Sequence, residues 1–260
     1  MALQALLFDL DNTLVPEMPN CETAFMDTVA DTALHHGFSA ESLRRAVFGV
    51  AEELWLGSGV SDYCARVGIG SPTSLLSDFP GDAGELRHLR EWAPQYRRES
   101  WSRGLSTVGL RDAGALVAEL DAAFRGRLRV RCPPYPDVIR VLEELSPQYR
   151  LAVATNGPVD VQWLKLTATG LERYFPVVVA SSEVGFGKPD ARIFTATLDR
   201  LGVAATDALA IGDSLERDVA GSKAASLACV WVNRTGAVND DRLVPEFEIH
   251  SLEELPALLR

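Results

Sequence analysis

Beyond residue 136 the chain alternates without a break between short apolar runs and amphipathic stretches, and no other feature of its 260 residues restricts the fold so strongly. Helical periodicity is read over Asp137 to Leu145, Val159 to Thr169, Ala191 to Leu201 and Glu216 to Ala225. Between these lie strands at Leu151 to Ala154, Val177 to Ala180, Ala208 to Ile211 and Cys229 to Val232, and a last strand, Glu246 to Ile249, precedes a helix from Leu252. Such alternation predicts a parallel sheet with helices on both faces, because a sheet covered on both sides has strands that read as continuous apolar runs.

The first fifteen residues add one more strand, Leu3 to Phe8, which stops abruptly at Asp9-Leu10-Asp11-Asn12-Thr13. From Pro16 to Arg131 the pattern is helical, with helices expected over Glu22 to His36, Ser39 to Leu56, Gly84 to Ser102 and Asp112 to Leu128. Asn20 and Ser39 are candidate N-caps, and Gly37 and Gly57 candidate C-terminal stops. The cluster Pro133-Pro134-Tyr135-Pro136 is stiff punctuation, since each proline fixes its own φ and restricts its predecessor. The expected architecture is α/β: a Rossmann-like, doubly wound parallel-sheet core from residues 1–15 and 132–260, with an all-helical cap domain, 16–131, inserted after the first strand.

Composition excludes several classes. With 47% hydrophobic and 23% charged residues the chain is an ordinary globular one. No apolar run approaches the roughly 18 residues of a membrane span, and the opening MALQALLFDLDNTLV lacks the basic start of a signal peptide. Cys21, Cys64, Cys132 and Cys229 form no paired motif, as expected of reduced thiols in a cytoplasmic protein. A net charge of −11 argues against a nucleic-acid polymer as partner, because such binding neutralises phosphates with Lys and Arg. Any anion site must be made locally positive, by a metal, a lysine or helix N-termini.

Open parallel sheets bind ligands at the carboxyl ends of their strands. That edge receives Asp9 and Asp11 after the first strand, Thr155 and Asn156 after LAVA, Lys188 in the loop GFGKPD, and Asp213 after ALAIG. For a phosphate monoester each type has a task. Carboxylates hold a hard divalent cation such as Mg²⁺, and a further carboxylate is a competent phosphoryl acceptor. Thr155, the Asn156 amide and Lys188 can bond the equatorial oxygens. Taken singly the signals are weak: Asp9 and Asp11 suit a turn, Asp213-Ser214 suits a helix cap, and Lys188 suits a solvated loop.

Their order along the chain resembles the haloacid dehalogenase-like superfamily. The motif D-x-D-x-T is matched by Asp9 to Thr13, the hydrophobic strand ending in Ser or Thr by LAVAT with Thr155, and the lysine motif by Lys188-Pro189. The motif G-D-x₄-D is matched from Gly212-Asp213 to Asp218. The resemblance implies that Asp9 forms a phosphoaspartate while Asp11 protonates the leaving oxygen and then activates water. It implies Mg²⁺ held by the Asp9 carboxylate, the Asp11 carbonyl and Asp213, with Asp218 orienting the metal's waters. It implies that the helical insert closes over the site and selects the substrate. ATNG and SSEVGFGKPDARIF are similar to nucleotidases and sugar-phosphate phosphatases, so a nucleoside monophosphate or small sugar phosphate is expected.

Alternatives use the same fold. A 2-haloacid dehalogenase needs no proton for its halide and lacks the second aspartate, so Asp11 disfavours it. A phosphomutase needs both aspartates and remains open, and a non-catalytic binding module would not need the reactive positions filled. The arginine-rich stretch from Arg87 to Arg131 offers Arg97 or Arg98 for an anionic substrate group, while Trp92, Tyr96 and Trp101 are expected to pack.

Overall fold

The computed structural model describes residues 3–111, 113–130, 132–239 and 242–260. They form two compact units, one running up to Pro16 and resuming over Pro133–Arg260, the other spanning Glu17–Cys132.

The chain begins with β1 (Ala5–Phe8), whose four side chains are all buried. It then enters the helical unit: α1 (Glu17–His36), α2 (Ala40–Leu56), α3 (Ser61–Val67), a 3₁₀ turn at Thr73–Leu76, α4 (Gly84–Thr107) and α5 (Gly114–Val130). Helix α2 starts where expected, with the Ser39 hydroxyl accepting from the Ser42 amide at 3.2 Å. Asn20 does not cap α1; the helix begins three residues earlier, at Glu17, and buries Asn20 within its first turns. The short α3 has no counterpart in the sequence reading, and Asp112 and Arg131 lie outside the described residues.

An aromatic core holds this unit together. Phe25 of α1 stacks on Trp101 of α4 with ring centroids 5.0 Å apart, and Phe124 of α5 meets Phe25 edge-on. Trp92 and Tyr96 pack with Trp55 of α2, as the helical spacing anticipates. Helices α2 and α4 approach so closely that a Cβ on Gly104 would stand 2.4 Å from the Val47 side chain. Arg97 is buried, donating to the Ser77 carbonyl at 2.8 Å and pairing with Asp78 and Asp121. Arg98 is exposed.

The first unit resumes with α6 (Val138–Leu145), β2 (Arg150–Thr155), α7 (Val159–Thr169), β3 (Val177–Ala180), the helical turn α8 (Ser181–Val184) and α9 (Ala191–Leu201). It continues through β4 (Ala208–Gly212), a π-helical turn (Leu215–Val219), α10 (Ala220–Ala224), β5 (Ala228–Val232), β6 (Phe247–Ile249) and α11 (Leu255–Leu258). The six strands pair in parallel in the order β3-β2-β1-β4-β5-β6. Leu6 lies opposite Leu151 on one side and Leu209 on the other. Winding outward from β1 through β2 and β3, the chain then crosses to β4, so the strand order reverses between β1 and β4. Doubly wound sheets bind ligands in the crevice that opens there.

One face of the sheet is packed by α9: Leu7, Ala152, Val179 and Ala210 join Ile193, Phe194 and Leu198 in a single buried cluster. The four cysteines are all buried. Among the described residues no helix is long and apolar enough to cross a membrane.

Candidate active site

The reversal point is lined by the residues that end β1 and β4. Asp9 still belongs to the sheet, its amide donating to the Ile211 carbonyl at 2.8 Å, and beyond it the backbone turns back. Leu14 and Val15 both donate to the Leu10 carbonyl, and Asn12 adopts φ 63°, a left-handed conformation that asparagine tolerates better than most residues. This turn keeps the Asp9 and Asp11 carboxylates on the strand-end loop but in different surroundings.

Asp9 faces Lys188. The buried ammonium is hydrogen-bonded to an Asp9 oxygen and, at 2.6 Å, to Asp218 Oδ1. The other Asp218 oxygen accepts from the Ser214 amide at 3.0 Å. One carboxylate oxygen from each of Asp9, Asp213 and Asp218 falls within 4.8 Å of the others. Asp213 is fixed by its own carbonyl, which accepts from the Trp231 indole at 2.7 Å, and Ser214 caps the π turn by accepting from the Arg217 amide. The π turn leads directly into α10.

These charges do not balance. Burial works against the Lys188 ammonium, yet Asp218 and Asp9 outweigh it and hold the lysine protonated above its usual range. Burial drives Asp9 upward, and Lys188 offsets this only in part because Asp218, Asp213 and Asp11 add negative charge. Asp213 is pushed up to about 6, by burial first and by Asp218 second. Three clustered carboxylates against one ammonium are a donor set of hard oxygens in need of a cation, which Mg²⁺ fits.

Asp11 stands apart from that cluster. Its Oδ1 accepts from Lys165 Nζ at 2.6 Å and its Oδ2 from Gln162 Nε2 at 2.9 Å. Gln162 also donates to the Thr155 hydroxyl at 2.5 Å, so the residue ending β2 shares a partner with Asp11. The Asn156 side chain spans the Lys188 backbone, accepting from its amide at 2.7 Å and donating to its carbonyl at 3.0 Å. It thereby sets the lysine loop rather than facing a ligand. Ser181 and Ser182 brace the same region, accepting from the Gly157 and Val159 amides.

Asp9, Asp213, Asp218 and Lys188 are thus gathered into one cluster, with Asn156 tied to its lysine loop; Asp11 and Thr155 are linked beside them through α7. The sequence reading did not identify Gln162, Lys165 or Trp231. A signal for the first two exists: both are polar residues on the buried face of VDVQWLKLTAT, where the periodicity calls for apolar ones.

A family model described as haloacid dehalogenase-like hydrolase matches residues 3–226. The chain is 32% identical over 256 residues to the phosphoserine phosphatase of Thermus thermophilus, covering 97% of this chain and 98% of that one. It is 32% identical over 164 residues to a pyrimidine 5′-nucleotidase of Escherichia coli, covering 63% of this chain and 69% of the other. Among solved structures, a 2-haloacid dehalogenase from Pseudomonas syringae aligns with TM-score 0.61 and 27% identity over 99% of this chain and 98% of that one.

Proposed function

The chain belongs to the haloacid dehalogenase-like hydrolase family as one of its phosphoric monoester hydrolases, and we propose that it works with Mg²⁺ and through a phosphoaspartate on Asp9. The observation that carries this reading is the division of labour between the two aspartates of one loop: Asp9 sits against Lys188 in the acidic cluster, and Asp11 is braced separately by α7.

In the proposed first step an Asp9 oxygen attacks phosphorus, a phosphorus–oxygen bond to the carboxylate forms, and the ester bond breaks as Asp11 gives its proton to the departing oxygen. Asp11 then removes a proton from water, the water oxygen bonds to phosphorus, and the Asp9 carboxylate is released. Lys188 offers its ammonium, and Thr155 and the Asn156 backbone amide offer hydrogen bonds, to oxygens that carry the charge of the transition state. Mg²⁺, held by Asp9, Asp213 and the Asp11 carbonyl with Asp218 behind them, would supply the positive charge that lets a phosphate approach three carboxylates.

Small phosphorylated metabolites are the substrate class, with nucleoside monophosphates and sugar phosphates preferred and selection assigned to the helical unit. The nucleotidase relative supports the first preference, and the phosphatase relative adds phosphoserine to the candidates. Likeness to a dehalogenase gives a second reading, in which Asp9 attacks carbon. A halide needs no proton, so Asp11 would then have no leaving group to protonate.

The test is a panel of nucleotides, sugar phosphates, phosphoserine and 2-chloropropionate, scored for phosphate and chloride. Phosphate release from at least one ester is expected, and it should vanish with EDTA and in Asp9→Asn. Turnover above a few per cent in that variant removes Asp9 as nucleophile; chloride release restores the dehalogenase. Transfer of phosphate between positions of one sugar, without release, would identify a mutase.

A further inference from the structure

Lys165 is a buried lysine to which the reaction above gives no part. It lies three residues after Gln162 on α7, so the two side chains leave the same helix face, and both meet the carboxylate of Asp11, one oxygen each. Both are almost wholly buried, at 3% and 1% exposure, in a helix whose other buried residues are Val161 and Leu166. Lysine and glutamine are seldom enclosed to this degree without a specific partner.

We propose that Lys165 and Gln162 are positioning residues for the proton-transfer group Asp11. The inference rests on the reading of Asp11 as acid and base.

The hydrogen-bond inventory gives the two residues different parts. Lys165 contributes an ammonium at 2.6 Å, a short charge-assisted bond that fixes one oxygen. Gln162 is oversubscribed. Its Nε2 has Asp11 Oδ2 at 2.9 Å, Thr155 Oγ1 at 2.5 Å and the Asn156 carbonyl at 2.9 Å, but an amide carries only two hydrogens. When the Asp11 oxygen turns toward a leaving group, Gln162 keeps two acceptors and loses nothing. The contact that holds Asp11 in place is therefore also one that lets it go cheaply. Gly157 makes room for this arrangement, since its φ is +132° and a Cβ there would press within 3.3 Å of the Gln162 amide carbon.

A residue that acts through a general acid is most needed where the leaving group most needs a proton. Phenyl phosphate and 4-nitrophenyl phosphate have similar shapes, but nitrophenolate departs far more readily unprotonated. Relative to wild type, Lys165→Met should lower the phenyl to 4-nitrophenyl ratio of kcat/KM, which reports only the step that expels the phenol, by about 10-fold. Asp11→Asn should lower the same ratio, and adding Lys165→Met to it should change the ratio no further. An equal loss of kcat/KM on both esters, or additivity in the double variant, overturns the proposal. If Lys165→Met does not fold, Gln162→Met, nearly equal in volume, is read in the same way, and an unchanged ratio there overturns the proposal equally. Should Asp11→Asn itself leave the ratio unaltered, the role of Asp11 fails, an outcome separate from failure of its braces alone.

Discussion

At Gly212 the absence of a side chain is a requirement of the site. A Cβ there would stand 2.2 Å from the carboxyl carbon of Asp218, whose two oxygens are engaged by Lys188 and by the Ser214 amide. Gly212→Ala therefore displaces Asp218, loosens Lys188 and moves the counter-ion of Asp9. The variant should fold, lose kcat by about 100-fold, as misplacement of a reacting group does, and need more Mg²⁺ for half-maximal activity; kinetics at varied Mg²⁺ check both. Asp9 and Asp213 stand out in the sequence because each follows an apolar run, where a charge is conspicuous, whereas Lys188 lies in a polar loop and is marked only by its motif with Pro189. Lys165 and Gln162 are marked only by breaking the apolar face of α7, a weak signal because a polar residue on a helix is ordinarily solvated, and the packing of α7 turns both inward. Asn156 was identified as part of the site, but which group its amide would serve depended on the Lys188 loop folding back over it.

Several elements are tied together by one partly buried ion pair. Asp137, just ahead of α6, accepts from Arg234 at 2.9 Å, from the Ser251 hydroxyl at 2.9 Å and from the Leu252 amide at 2.8 Å. Arg234 follows β5, lies over the Tyr135 ring and donates to the Thr13 carbonyl at 2.9 Å, reaching the turn that carries Asp9 and Asp11. Burial opposes ionisation of Asp137, but the Arg234, Leu252 and Ser251 bonds outweigh it and hold the carboxyl below its usual range. Its contribution to stability is thus fully present above the unfolded pKa, about 3.9 for an aspartate, and is lost as pH falls through the lower folded value. Asp137→Asn should cost roughly 2 kcal/mol at neutral pH, and the gap to wild type should close below about pH 4; urea titrations at pH 7 and pH 3 measure this. Strand positions were readable to within about two residues, since apolar runs in a doubly covered sheet have sharp ends. Helix α3 was not, because Ser61–Val67 is too short to show a period. The π turn was read as ordinary helix, since its hydrogen-bond shift leaves no mark in composition.

Over the whole molecule, the division at the proline cluster was visible in the sequence because pattern and punctuation change together there. Each unit has its own core, and their contacts differ in range. Within the helical unit, α2 and α4 and α1 and α5 provide the densest packing, whereas the sheet joins β1 to strands far along the chain. Local contacts form sooner than distant ones. In pulse-labelled hydrogen exchange during refolding, the amides of α2 and α4 should be protected before those of β1 and β4; simultaneous protection would show the two units fold as one.

The insertion after β1 also sets a timetable for synthesis. Ala5 pairs with Arg150 and with Ala208, so the central strand leaves the ribosome long before either neighbour exists. At roughly 5–20 residues per second, β1 waits about 10–40 s for β4. An apolar edge left open for that time invites association with other chains, and natural sequences guard such runs with flanking charge and short length. Here the strand is four residues long and ends in Asp9 and Asp11. On that reasoning the two carboxylates proposed to handle phosphate would first serve as the charge that keeps a nascent chain apart from its neighbours.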